Sequence, residues 1–94
     1  MMEGYQNREI RGMVMKILKE AAPDPVGDQL ISAMLTDARY EVKPSDVKKH
    51  LDYLEGKGYI KTEKVSLQSI GVSRTIARLT PEGQDLMDGT IDPD

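Results

Sequence analysis

The chain has no cysteine, no tryptophan and no phenylalanine, and its 94 residues include a single histidine, His50. Without cysteine there is neither a disulfide nor a thiolate metal site. One histidine cannot furnish a histidine-rich zinc site or a redundant nucleophile–histidine–carboxylate set. No apolar run approaches the length needed to span a bilayer. The opening residues, Met1-Met2-Glu3-Gly4-Tyr5, lack the basic segment and apolar stretch of a secretory signal, so a cytoplasmic location is expected. With four tyrosines as the only aromatics and six methionines, the core must be aliphatic, with methionine filling its gaps.

The sequence does have charge, unevenly placed. Net charge is −3, which argues against a generic polyanion binder. Residues 1–42 carry five Lys/Arg against seven Asp/Glu, residues 43–78 carry eight against four, and residues 79–94 carry five acids and no base. A local positive patch attracts phosphate even on an acidic protein, because salt screens distant charges within about 8–10 Å.

Apolar spacing sets out the elements. Asn7 is placed to cap a first helix after a loose start over residues 1–6. Ile10, Met13, Val14, Ile17, Leu18 and Ala21 then fall on one helical face, with Met15 on the opposite, exposed side. Pro23 and Pro25 end that helix and force an extended link, in which Val26 can pair with a later hairpin. Asp28 is read as the cap of a second helix whose buried stripe is Leu30, Ile31, Met34, Leu35 and Ala38. Residues 39–43 make a longer connection than a minimal helix-turn-helix turn. Ser45 is read as the cap of a third helix, with Asp46 favoured in its first turn by the helix dipole.

On that third helix Val47, Leu51 and Leu54 face inward and His50 lies at the edge of the stripe. Ser45, Lys49, Asp52 and Gly56 face outward, flanked by Lys48 and Tyr53. Gly56 and Gly58 end the helix by allowing left-handed backbone angles. Residues 59–67 alternate as a strand, 68–73 form a loop turning at Gly71, and 74–79 return as a second strand. Thr80 caps a short helix with Pro81 at its first position. Leu86 and Met87 fold that helix back on the core, Gly89 ends it, and Asp92-Pro93-Asp94 reads as a frayed tail. The expectation is one α+β, mainly helical domain over 1–94: a three-helix core, a two-stranded hairpin and a short C-terminal helix. Its ordered part is about 7–88, with flexible ends at 1–6 and 89–94.

Two phrases carry a family resemblance. Val47-Lys48-Lys49-His50-Leu51-Asp52-Tyr53-Leu54-Glu55-Gly56-Lys57-Gly58-Tyr59-Ile60 resembles a recognition helix running into the first wing strand of a winged helix-turn-helix regulator. Ala77-Arg78-Leu79-Thr80-Pro81-Glu82-Gly83 resembles the junction from the last wing strand into a C-terminal helix. The small size is similar to ArsR-like bacterial regulators and to regulators of Mu-like phages and prophages. The resemblance implies a double-stranded DNA-binding transcriptional regulator, with helix 45–57 in the major groove and the 59–79 hairpin as wing, acting as a homodimer. The DNA-contacting positions it implies are Ser45, Lys48, Lys49, Asp52, Tyr53, Lys61, Lys64, Arg74 and Arg78.

The chain departs from the family pattern in two places. Its wing loop, residues 68–73, has no basic residue. Its third helix has no arginine, asparagine or glutamine, the side chains suited to bidentate base reading. Several of these residues, and His50 beside them, also have a plainer role. Lys48 and Lys49 can be a solvated face, Ser45 a cap, Tyr53 a packing ring and His50 a structural side chain. Arg74 and Arg78 can pair with Glu63 or another acid across the hairpin. Ile70 and Val72 at the hairpin tip favour a protein contact, so the alternative is a winged-helix protein-interaction module, such as a phage or prophage accessory protein without DNA binding. No glycine-rich phosphate loop follows a strand and no acid pair stands apart from the surface carboxylates, so neither catalysis, nor a metal, nor a cofactor, nor membrane association is expected.

Overall fold

The computed structural model describes residues 2–89, so the Asp92-Pro93-Asp94 tail lies outside the described residues. The first helix, α1, runs Met2–Ala21. It starts before Asn7, which sits inside it, because nothing among the preceding residues breaks a helix; a lone Gly4 only weakens one. Ile10, Val14, Ile17 and Leu18 are buried as their spacing requires, and Met13 and Ala21 pack on the margin.

Met15 departs from expectation. It is 3% exposed, because the C-terminal helix lays Leu86 and Met87 over that side of α1 and Tyr59 and Leu54 complete the lining. Leu86 and Met87 do fold back as expected, and the apolar surface they cover includes Met15.

Strand β1, Val26–Gly27, pairs antiparallel with the hairpin's return strand, setting Val26 opposite Ala77. Helix α2 is Asp28–Asp37. Its N-cap is Gly27, so Asp28 does not cap; it is the first helical residue, where its charge suits the dipole. The stripe on α2 is narrower than its apolar spacing implies. Ile31 and Leu35 are fully buried, whereas Leu30 (56%), Met34 (41%) and Ala38 are exposed. Two residues one turn apart suffice to fill the space this short helix covers, and the flanking apolar side chains stay in solvent.

Helix α3 is Pro44–Gly56. Proline holds its first position, which moves the cap to Lys43 and leaves Ser45 second in the helix, without a capping role. The Lys43 backbone N–H donates to Asp46 Oδ2 at 3.3 Å. Val47, Leu51 and Leu54 are buried, and His50 joins them. Gly56 is the last helical residue; the left-handed angle falls at Gly58 alone, with φ of 82°.

Strands β2, Ile60–Leu67, and β3, Val72–Leu79, form the hairpin, so Val72 and Ser73 belong to the return strand and not to the loop. A single 3₁₀ turn at Gln68–Ile70 and a left-handed Gly71 join the two strands. The sheet order is β1-β3-β2. Helix α4, Pro81–Met87, follows. Its cap is the expected Thr80, whose Oγ1 accepts from the Gly83 N–H at 3.0 Å. The same hydroxyl donates to the Gly58 carbonyl at 2.6 Å, and the Thr80 N–H donates to the Tyr59 carbonyl at 3.0 Å. The start of α4 is thereby fastened to the turn that ends α3.

Candidate nucleic-acid interface

Helix α3 buries one stripe, so its opposite side is available. Ser45, Lys48, Lys49, Asp52 and Tyr53 are all exposed on it. Two other elements border this face. On the hairpin side, Glu55 near the end of α3 accepts hydrogen bonds from the Thr62 N–H at 3.0 Å and from Thr62 Oγ1 at 2.9 Å. On the other side, α1 and the residues before α3 enclose a polar cleft of about 490 Å³, with Asn7, Arg11, Glu41, Asp46, Lys49 and Tyr53 among its walls.

His50 lies at the floor of that cleft, 7% exposed. Burial pushes its imidazole pKa below the usual value, the nearby Arg11 charge pushes it the same way, and Asp46 opposes both. The Tyr40 hydroxyl donates to Glu9 Oε2 at 2.9 Å and ties the segment before α3 to α1. That bond favours the protonated phenol, and with burial and the Glu9 charge it raises the Tyr40 pKa.

The hairpin register divides the wing cations. Side chains directly opposite each other in an antiparallel pair share a face. Ile60, Thr62 and Lys64 therefore lie with Leu79, Ala77 and Thr75 on the face that meets the core. Lys61, Glu63, Val65 and Leu67 lie with Arg78, Ile76, Arg74 and Val72 on the outer face. Thr62 meets α3 through Glu55, so Lys64 is on the α3 side, whereas Lys61, Arg74 and Arg78 are on the far side.

Charge pairing divides the cations further. Lys48 Nζ is 3.6 Å from Asp52 Oδ2, one helical turn on, and Arg78 is 3.7 Å from Glu63 Oε1. No such carboxylate partner is recorded for Lys49, Lys61, Lys64 or Arg74 among the described residues. Lys48, Lys49, Arg74 and Arg78 thus do not merge into one uninterrupted surface. The structure brings Ser45, Lys48, Lys49, Asp52 and Tyr53 together on α3, with Lys64 beside them, and places Lys61, Arg74 and Arg78 on the back of the wing.

Two cations that the sequence reading passed over stand beside this face. The Arg11 guanidinium carbon is 4.1 Å from the centroid of the Tyr53 ring, and Lys57 Nζ is 5.7 Å from it. Both separations are in cation–π range. Lys57 directly follows the helix and its position was readable. Arg11 falls just off the buried stripe of α1, and no local pattern marks it as a neighbour of α3.

Three helices, a short strand completing a three-stranded antiparallel sheet, and a projecting hairpin followed by a helix define the winged helix-turn-helix fold. Comparison with solved structures bears this out. The chain superimposes on a PadR-like transcription factor from Bacteroides fragilis with a TM-score of 0.69 and 20% identity, over 93% of this chain and 84% of that one. A PadR family transcription regulator from Clostridium difficile matches with a TM-score of 0.64 and 22% identity, over 82% and 80% of the two chains. Bacillus subtilis PadR in complex with operator DNA matches with a TM-score of 0.61 and 20% identity, over 87% of this chain and 49% of that chain. These neighbours carry the PadR label, and none of them carries the ArsR-like or Mu-like one suggested by the small size. No protein-family model matches the sequence, and no curated protein matches it. Among the described residues no helix is long and apolar enough to cross a membrane.

Proposed function

We propose that this chain binds double-stranded DNA and acts in transcriptional control, with α3 entering the major groove and the hairpin serving as wing. One observation carries the reading: the outward side of α3 is exposed from Ser45 to Tyr53 and carries Lys48 and Lys49. A structural neighbour of the same fold was solved with operator DNA on it, which supports the choice of ligand. Lys49 and Lys64 supply compact positive charges for phosphate, and Ser45 and Tyr53 supply short-range polar contacts. A homodimer fits this use, since paired winged helices reach adjacent major grooves. The terminal helices α1 and α4 are the proposed dimer surface, and the acidic C-terminal segment keeps DNA on the α3 side.

A second reading rests on the outer face of the wing. Val65, Leu67 (51% exposed), Val72 and the tip residue Ile70 (68% exposed) make an apolar strip suited to a protein partner. In that reading, contact through Ile70 and Val72 replaces DNA binding.

Equilibrium binding of a labelled mixed-sequence duplex at about 50 and about 200 mM salt separates the two. Contact through phosphates weakens steeply across that range. Lys48→Glu with Lys49→Glu abolishes it while leaving the circular dichroism spectrum unchanged. Undiminished binding by the double variant removes α3 as the contact surface, and salt-insensitive or absent binding by the parent favours the protein-contact reading.

A further inference from the structure

We infer that Arg11, on the first helix, is a phosphate contact on the flank of α3 away from the wing, with Tyr53 as the platform that holds it there. The inference rests on the DNA-binding reading and adds to it a contact from outside the helix-turn-helix and the wing.

Dimensions decide where such a contact must lie. The major groove is about 12 Å wide, and an α-helix with its side chains is about 10–12 Å across. A helix seated in the groove fills it, so phosphates stand against both of its flanks. On the hairpin flank the α3-side cation is Lys64. On the opposite flank the nearest element is α1, and the side chain it sends to α3 is Arg11, 4.1 Å from the Tyr53 ring centroid. Tyr53 is 45% exposed, so this stacked pair stands at the edge of the outward face and is not sealed beneath it.

The chemistry suits the position. A guanidinium stacked on an aromatic ring remains charged, and its N–H edge is oriented and available for an anion. Among the described residues Arg11 has no carboxylate within ion-pair distance, in contrast to Lys48 and Arg78. Glu41 and Asp46 line the same cleft and temper the local potential, while Lys49 in the cleft and Lys57 on the same tyrosine reinforce it. A solvent-facing Arg–Tyr stack with purely structural use would contribute only to stability. A phosphate contact also contributes to the dependence of DNA affinity on salt.

That difference supplies the test. Duplex affinity is measured for the parent, Arg11→Gln, Arg11→Met and Arg11→Lys across about 50–200 mM salt, with thermal melting of each protein in parallel. Removing one phosphate contact makes the log–log salt slope shallower by about 0.9 for Arg11→Gln and Arg11→Met, whereas Arg11→Lys keeps the parental slope. Arg11→Met retains the apolar stem over Tyr53, so it isolates charge if the glutamine variant folds poorly. Parental slopes in both charge-removing variants overturn the inference while leaving the DNA reading in place. A parent without salt-dependent duplex binding overturns the DNA reading, and the inference with it.

Discussion

His50 shows how a residue at the margin of a stripe couples the core to the proposed interface. It is buried beside Val47 and Leu51 yet floors the cleft that holds Arg11, Asp46 and Lys49. Its pKa is lowered on folding from 6.5, first by burial and then by Arg11. The unfolded chain therefore binds this proton more readily than the folded one, so stability is complete above the unfolded pKa and is lost as pH falls through the lower folded value. Urea unfolding followed between neutral pH and about pH 5, where most carboxylates remain ionised, is expected to show a falling midpoint in the parent. The decline should be smaller in His50→Gln, and an identical decline in both proteins would assign the effect to other groups.

The same residue scale marks what spacing can and cannot reveal. Val47, Leu51, Leu54, Ile31 and Leu35 were legible as core because they recur at helical spacing on the inward side of their helices. Met15 was not, since its cover comes from α4, and periodicity registers a face without naming every element that packs there. Leu30 and Met34 failed in the opposite sense: they are apolar and correctly spaced, yet they stay 56% and 41% exposed. Arg11 was invisible because its partner Tyr53 lies on another helix, a tertiary fact with no local signature.

Among the elements, the most tightly specified junction joins the two phrases that carried the family resemblance. The turn ending α3 and the turn opening α4 are far apart in sequence and are clasped through Thr80, which touches Gly58, Tyr59 and Gly83. Gly83 is buried against the backbone of Tyr59, and a Cβ there would run into the Tyr59 carbonyl and close on the Leu79 side chain at 3.2 Å. Alanine gains up to about 1 kcal/mol of helix propensity over glycine in a helix interior, and less near an end. Overpacking against a fixed carbonyl costs roughly 1–3 kcal/mol and outweighs that gain. Gly83→Ala is therefore expected to lower stability by a net amount of up to roughly 3 kcal/mol, read from the chemical-denaturation midpoint. Element identity and order were legible from caps, prolines and alternation, whereas exact starts were not. Pro44 moves the cap of α3 back to Lys43, and Gly27 displaces Asp28 from the cap of α2. In the wing, alternation sorted the strand residues into two faces. Which face meets α3 emerged only from Thr62 docking on Glu55.

At the scale of the whole molecule, the charge map is a central basic segment held between acidic ones, and two of its cations are spent on neighbouring acids. The Lys48–Asp52 and Arg78–Glu63 pairs are exposed on both sides, and such pairs contribute little to folding. Their larger effect is on the field that a polyanion meets. Replacing Asp52 and Glu63 with their amides removes two negative charges, releases Lys48 and Arg78, and leaves the core untouched. If α3 and the wing bind duplex through phosphates, Asp52→Asn with Glu63→Gln tightens mixed-sequence DNA binding and steepens its log–log salt slope by about one to two. The thermal midpoint should scarcely move, since surface substitutions away from caps and buried networks stay within about 0.5 kcal/mol. Taken singly, the two variants locate the contact. A gain confined to Asp52→Asn places the phosphates along α3, where Lys48 is freed. A gain confined to Glu63→Gln places them on the outer face of the wing, beside Arg74 and Arg78. No gain from either means that the acids do not border the bound duplex, and the apolar strip of the wing then becomes the better description of what this surface meets.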